Sequence, residues 1–278
     1  MTNIFVNSLS FIVPAIVEPD YKTAIPDANL RRRMSRLVRM GVAAGLECID
    51  AMPDDVSKKI DGVITSSGLG FLTDTMKFAD AIEDQEERML NPTPFIQSTF
   101  NTVGAQIAIL RGLHCYNTTY VNRGGSFIGA LTDGILALEE GAENVLVGGF
   151  DEMTPASEVL EKRLGLFGES CQGEGAGFVM LSSSESSKSV GRILGVRGSN
   201  ALLEKITFDA FAKDFLRSFG LRSEDVRMVR ADRAKTGDYQ TVSAAALCAE
   251  IQNCEGKTLI CSEFAGRDRT MILIDKVR

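Results

Sequence analysis

The chain has 278 residues, 44% of them hydrophobic and 24% charged, which is typical of a soluble globular protein of one or two domains. Its formal net charge of −7 argues against nucleic-acid binding, and no stretch approaches the roughly 18 apolar residues that cross a bilayer. A single histidine excludes any mechanism that needs two.

The cysteines also limit the possible chemistry. There are six of them, none in a CxxC pair, and with one histidine they form no familiar zinc spacing, so we expect no metal and no cofactor. The chain starts without a basic region or a cleavage site, so no signal peptide is expected. The thiols are therefore predicted to be reduced in the cytoplasm. They are Cys48, Cys115, Cys171, Cys248, Cys254 and Cys261.

The N-terminal part of the sequence predicts alternating strands and helices. Residues 4–13 (IFVNSLSFIV) indicate a strand, and a helix is expected from about residue 27 to 51. A buried strand at 60–65 and a helix over 71–82 follow. The apolar residues of the first helix recur at spacings of three and four, which predicts one buried stripe. The stripe comprises Leu30, Met34, Leu37, Gly41, Ala44 and Cys48.

The same alternation continues to the middle of the chain. The motif NPTP at 91–94 predicts a break before a helix over 97–110. Residues 115–121 (CYNTTYV) predict a strand at the edge of a sheet. Gly124 and Gly125 open a helix that ends near Gly141, and a strand at 144–147 follows it.

A serine-rich segment at 182–189 (SSSESSKS) is interpreted as a linker. It divides the chain into an N-terminal half, residues 1–185, and a shorter C-terminal half, residues 190–278. Strands in the second half are predicted at 192–196, 226–229, 258–261 and 270–274, and helices at 208–219 and 243–252. Alternation throughout both halves favours a layered α/β fold.

Six sequence segments carry a resemblance to a known family. The segment GEGAGFVML, residues 173–181, lacks the Gly-Lys-Ser/Thr of a phosphate-binding loop and is similar to a glycine-rich hairpin of ketosynthases. Further segments resemble ketosynthase landmarks in the same order. They are PFIQSTFNTVGAQIAIL (94–110), RGLHCYNTTYVNRGGSFIGA (111–130), VLVGGFDE (145–152), KTGDYQTVSAAAL (235–247) and SEFAGRDR (262–269).

The chain therefore resembles the β-ketoacyl synthases of the thiolase-like superfamily, firmly over residues 62–181 and more weakly from residue 191. The resemblance implies a layered αβαβα fold of two related halves, truncated relative to full ketosynthases. It also implies a dimer that forms through the strand before Gly124.

The resemblance also indicates which catalytic residues are missing. Where the family has its cysteine, this chain has Gly124, flanked by Arg123 and Gly125. Where a histidine follows Thr-Gly, Asp238 stands here, and the other histidine motif has no counterpart. We predict no catalytic residue. The expected remnant of the substrate pocket comprises Arg123, Gly124, Gly125, Ser126, Asp238 and Phe264.

These absences favour a non-catalytic role. Condensation needs a thiolate to hold the acyl chain and donors to stabilise an enolate, and an ionised Asp238 only accepts hydrogen bonds. The chain then resembles the chain-length factors of type II polyketide and aryl-polyene systems, which pair with a catalytic ketosynthase and shape its acyl tunnel. Residues after Pro94 would reach toward the partner's tunnel. The arginine-rich segment at 29–40 is a candidate docking site for an acyl carrier protein.

Two alternatives remain open. The first is an acyltransferase or decarboxylase that uses Ser126 or a cysteine such as Cys115, although no base for a serine is identifiable. The second is a homodimeric acyl-binding or scaffold protein. For Ser126 the sequence favours a capping or packing role, and for His114 a position on the surface or at an interface.

Overall fold

The computed structural model describes residues 4–165, 172–201, 205–233 and 237–277, so Cys171 and Thr236 lie outside the described residues. Helices and strands alternate along the chain as the sequence predicts. In chain order they are β1 Ile4–Ile12, α1 Ala28–Arg33, α2 Arg36–Asp50, β2 Gly62–Ser67, α3 Leu72–Asp84, α4 Pro92–Gln97, α5 Thr102–Arg111, β3 Tyr116–Val121, α6 Ser126–Glu139, β4 Asn144–Asp151, α7 Pro155–Leu164, β5 Gly175–Ser182, β6 Gly191–Asn200, α8 Phe208–Arg217, β7 Arg227–Arg230, α9 Val242–Gln252, β8 Thr258–Phe264 and β9 Asp268–Asp275.

Nine strands form one mixed sheet in the order β3-β2-β4-β5-β1-β6-β9-β8-β7. In the first half β1 and β4 run antiparallel to β5, and β2 runs parallel to β4. The second half repeats this pattern, since β6 and β8 run antiparallel to β9, and β7 runs parallel to β8. The two halves meet where β1 pairs with β6, with Phe5 opposite Arg192. This topology fits the two related halves that the resemblance implies.

In the described part of the chain, three hydrophobic cores hold together five layers of helices and strands. The first lies between α2 and the outer face of the N-terminal strands, and it contains Leu37 and Phe178. The second surrounds α6 and α9, with Leu131 and Leu247 at its centre, and both helices contact strands of the two halves. The third packs Phe211 of α8 against β8 and β9. The order is therefore αβαβα. Within the described part of the chain, no helix is long and apolar enough to cross a membrane.

The single helix predicted over 27–51 is divided into α1 and α2. Asp27 caps α1 by accepting from the backbone N–H groups of Asn29 (2.8 Å) and Leu30 (3.2 Å). Met34 ends it with an extended ψ of 134°, and Ser35 precedes α2. Met34 is only 4% exposed, so its side chain lies in the core although the helix breaks there. The predicted stripe was therefore right that Met34 is buried, but wrong that it lies within a continuous helix.

The NPTP motif begins a helix rather than breaking the chain. Asn91 accepts a hydrogen bond from the N–H of Thr93 (3.0 Å), and Pro92 stands at the first helical position of α4. Proline is favoured there because its missing N–H has no helical partner anyway. The helix predicted over 97–110 is correspondingly shorter and begins at Thr102.

The serine-rich segment connects β5 to β6, but it is tied to the first half. Asp55 accepts from the hydroxyls of Ser186 (2.5 Å) and Ser187 (2.7 Å), and Ser189 donates to the side chain of Asn7 (2.5 Å). The serine hydroxyls therefore fix this segment to the first half through hydrogen bonds, so it is more than a flexible linker.

Candidate functional site

The turn between β3 and α6 carries Gly124, the position that the resemblance predicts as the place of the missing nucleophile. Arg123 adopts a left-handed backbone with φ of 48°, and its N–H donates to the carbonyl of Gly68 (3.1 Å). A Cβ added at Gly124 would lie 2.6 Å from the Cβ of Phe264 and 2.8 Å from the Cβ of Asp268. Real Cβ atoms do not approach this closely, so the position has no space for any side chain.

Ser126 closes this turn and is fully buried. Its Oγ accepts a hydrogen bond from the N–H of Asn122 (2.7 Å) and donates one to the carbonyl of Arg123 (2.7 Å). The hydroxyl is therefore engaged by local backbone on both sides. The N-cap of α6 is Gly125, and no side chain caps the helix there, so the Ser126 hydroxyl does not serve as a cap. It holds the preceding turn instead, which fits the packing role, the other role that the sequence favours.

Asp238 lies in a different part of the same region, in a short bridge to Gln172, and its carbonyl accepts from the N–H of Gly173 (2.8 Å). The residue is 4% exposed, and its Oδ1 has no hydrogen-bond partner among the residues that the structure describes. Burial, reinforced by the charge of Asp232, raises its pKa to about 8. The side chain therefore holds a proton at neutral pH, so it can donate a hydrogen bond there, unlike the ionised form considered from the sequence.

We expect the pKa of Asp238 to make stability depend on pH. Between the unfolded pKa of 3.8 and the folded pKa of about 8, the folded chain keeps a proton that the unfolded chain releases. The free energy of unfolding should thus fall as pH rises through this window, by up to about 1.4 kcal/mol per pH unit, and level off above it. Asp238→Asn should remove this slope. Urea unfolding of both proteins from pH 5 to pH 9 checks it, and parallel curves would contradict it.

A buried carboxylate that the sequence analysis missed holds this region together. Asp151, at the end of β4, accepts four hydrogen bonds, from the Ser67 hydroxyl (2.9 Å), the Gly68 N–H (2.7 Å), the Thr241 N–H (2.9 Å) and the Thr241 hydroxyl (2.7 Å). Burial raises its pKa to about 6, so it is ionised at neutral pH. It joins the ends of β2 and β4 to the start of α9. The available signal was an aspartate directly after the apolar run VLVGGF.

A second buried carboxylate lies beside it. Glu161 of α7 is 6% exposed and accepts from the side-chain amides of Gln240 (3.0 Å) and Gln172. Burial raises its pKa. Gly68 packs so closely on Gln240 that a Cβ there would lie 2.1 Å from the Gln240 Cβ. The turn after β2, α7 and the start of α9 are thus fixed relative to one another.

The predicted pocket residues fall into two groups. Gly124 and Phe264 are in contact, and Ser126 lies buried at the start of the helix that follows. Asp238 is separate, three residues before Thr241. Beside the first group lies a cleft of about 530 Å³. Its walls include Tyr120, Asn122, Arg123, Gly125, Ser199 and Asp268.

The remaining candidate nucleophiles are poorly suited to chemistry. Burial raises the pKa of Cys48 to about 12 and that of Cys248 well above its usual value, so both are inert thiols. Cys115 is half-buried just before β3, and burial raises its pKa as well. In the described part of the chain no group of histidine, cysteine or acidic side chains could hold a metal ion. His114 is exposed, as expected.

The arginine-rich segment is largely engaged within the chain. Arg36 binds Glu174 through two hydrogen bonds of 2.7 Å and also pairs with Glu18 (2.6 Å). Arg31 donates to the carbonyl of Ile25, and Arg39 lies over the Tyr21 ring at 5.8 Å. These contacts leave few arginines available for an external acidic partner.

Comparison with known proteins agrees with the geometry. The model of the β-ketoacyl synthase N-terminal domain matches residues 15–162, which is more than half of the chain. No curated protein sequence matches. Among solved structures, the ishigamide ketosynthase/chain length factor has a TM-score of 0.83 at 15% identity, covering 99% of this chain and 100% of that chain.

Two further structures show the same fold. The type II polyketide synthase acyl-carrier protein in complex with its hexaketide-bound ketosynthase (AntDE:AntF) has a TM-score of 0.81 at 14% identity, covering 100% of both chains. The ketosynthase ApeO in complex with its chain length factor ApeC from Xenorhabdus doucetiae has a TM-score of 0.61 at 12% identity, covering 99% of this chain and 100% of that chain. On the match to the family model, with the layered fold beside it, the chain belongs to the β-ketoacyl synthase family.

Proposed function

We propose that this protein is a non-catalytic, ketosynthase-like subunit of the chain-length-factor type. It pairs in the cytoplasm with a catalytic ketosynthase of a fatty-acid, polyketide or aryl-polyene pathway. It completes the dimer interface of that enzyme and contributes to the wall of its acyl tunnel. The residues proposed to form the remnant of its own pocket are Arg123, Gly124, Gly125, Ser126, Asp238 and Phe264.

The observation that carries this proposal is the closed space at Gly124. Condensation requires a thiolate that first takes the acyl group and donors that then stabilise the enolate. The Cβ atoms of Phe264 and Asp268 occupy the place of a nucleophilic side chain. A protonated Asp238 could donate a hydrogen bond to an enolate. Without a thiolate, however, the chain holds no acyl group with which an enolate could react. The engaged hydroxyl of Ser126 also weighs against the alternative acyltransferase.

The free edge of the sheet supports a protein partner. Within the described residues, strand β3 pairs with β2 alone, so its outer N–H and C=O groups can pair with another strand. Tyr116 on this strand is half-exposed. Three large apolar residues near α4, Phe95, Ile96 and Phe100, are each more than 50% exposed. Clustered apolar exposure of this size is characteristic of an interface rather than of a free surface.

The structural relatives support the type of partner. Two of the similar structures contain a ketosynthase with its chain length factor, and a pairing of unlike subunits provides the active site that this chain lacks. We therefore favour the heterodimer over a homodimer. A third contains an acyl-carrier protein bound to a ketosynthase. Because the arginines of this chain are mostly engaged internally, we assign carrier docking mainly to the catalytic partner.

Co-expression with a full-length catalytic ketosynthase tests the proposal. We expect a stable heterodimer in analytical ultracentrifugation, condensation of acyl and malonyl carriers by the pair, and none by this chain alone. Ile96→Asp should weaken the heterodimer at least tenfold, whereas Ile109→Asp, at an exposed apolar position on α5, should not. Condensation by the isolated chain, or its stable acylation by an acyl thioester in mass spectrometry, would overturn the proposal.

A further inference from the structure

Helix α7 has its apolar side chains on the outside. Val159, Leu160 and Leu164 are 50%, 57% and 70% exposed, whereas Ser157 and Glu161 are buried at 6%. A surface helix normally shows the opposite arrangement, with its apolar stripe toward the core. Among residues 4–165 and the later described ranges, nothing therefore covers the outward face of α7 as its composition requires.

This orientation is firmly held. Thr154 and Ser157 form a reciprocal capping box at the start of the helix, with hydrogen bonds of 3.0 Å in both directions. Farther along, Glu161 points inward to the amides of Gln240 and Gln172. The apolar face is outward because the polar face makes specific bonds to the interior. A slight rotation of α7 would break those bonds without burying its leucines.

The outward face of α7 is linked to the surface near the free sheet edge. Glu161 binds Gln240, and Gln240 packs on Gly68 at the end of β2. The next residue, Leu69, is 38% exposed, and the Phe100 ring packs on Gly70. Arg123, two residues after the end of β3, also donates its N–H to the carbonyl of Gly68.

We name this surface the apolar rim. It comprises Leu69, Phe95, Ile96, Phe100, Val159, Leu160 and Leu164.

We propose that the outward face of α7 is part of the surface that receives the ketosynthase subunit, together with the rest of the apolar rim and the edge of β3. This inference rests on the proposed function. Permanent subunit interfaces are more apolar than transient ones, which suits a face of valine and leucine. An acidic carrier protein fits less well, because the cations bordering this face, Lys162 and Arg163, are accompanied by Glu158.

Three variants test this role in the co-expressed heterodimer. Leu160→Asp should raise the dissociation constant at least tenfold without changing the melting temperature of the isolated chain, since the residue is already exposed. Glu161→Ala, which leaves the apolar face intact but removes its inward anchor, should also weaken binding. Glu161→Gln keeps an acceptor oxygen for Gln240, and its NH2 group can donate to Gln172 once the Gln172 amide turns over to present its oxygen, so this variant should bind nearly as wild type. Ile109→Asp is the matched control.

The outcomes separate this inference from the proposed function. If the wild-type chain forms no complex with the ketosynthase, the proposed function fails. If Ile96→Asp weakens the complex but Leu160→Asp binds as wild type, the proposed function stands and the role of α7 is refuted. If Leu160→Asp instead abolishes self-association of the isolated chain and leaves the heterodimer unchanged, a second copy covers α7 and the inference is overturned.

Discussion

Replacing Gly124 with cysteine is expected to destabilise the protein rather than to restore a condensing enzyme. The added Cβ would meet the Cβ atoms of Phe264 and Asp268, which are attached directly to backbone and cannot rotate away. Overpacking of this kind costs about 3 kcal/mol in free energy of unfolding. For a chain of this size the melting temperature should fall by about 6–10 °C. Calorimetry of Gly124→Cys checks the stability, and incubation with an acyl thioester checks its reactivity.

Two control variants show whether the close approach is responsible. Gly124→Ala carries the same Cβ and should be destabilised by a similar amount, although it has no thiol. Gly256→Cys adds a thiol where nothing lies within 4 Å and should unfold like the wild type. A Gly124→Cys protein of wild-type stability that is acylated on the new cysteine would refute this account of the site.

The fold was largely predictable because its strands are continuous apolar runs. The strands at the centre of each half, such as β4, are buried along their length, and β3 is distinguished by its threonines and tyrosines. The break at Met34 was not predictable, because an apolar residue at this position is expected whether it lies within a helix or in an extended, buried segment. The sequence pattern does not distinguish the two. Helix α7 was not predicted at all. Its outward leucines and inward glutamate follow from bonds to residues distant in sequence.

The site was only partly predictable, for a similar reason. The resemblance predicts that Gly124 replaces the nucleophile and that Phe264 belongs to the same pocket, but not that Phe264, 140 positions later, closes the space beside Gly124. The charge of Asp238 depends on its burial and on Asp232, neither of which a motif encodes. Asp151 takes its donors from two segments distant in sequence, Ser67–Gly68 and Thr241, so no local pattern reveals it.

Removing the Asp151 carboxylate is expected to have the largest effect on stability. Asp151→Ala would leave the Ser67 hydroxyl, the Gly68 N–H and both Thr241 donors without an acceptor in a fully buried site. Unsatisfied buried donors together should lower the free energy of unfolding by about 3–5 kcal/mol. The loss should appear in urea unfolding at pH 7, and as a melting temperature lower by about 10 °C.

Graded variants connect this loss to the hydrogen bonds themselves. Asp151→Asn keeps the shape of the side chain, and its oxygen can still accept two of the donors, but its amide group faces the other two. It should therefore lose less stability than Asp151→Ala. Asp84→Ala, at an exposed aspartate, should change the free energy of unfolding by no more than about 0.5 kcal/mol. If Asp151→Asn and Asp151→Ala lower the free energy of unfolding equally, the loss comes from the charge of Asp151 and not from its four hydrogen bonds. Because those bonds join Gly68, which supports Arg123, to the start of α9, Asp151→Ala should also disturb the turn at Gly124.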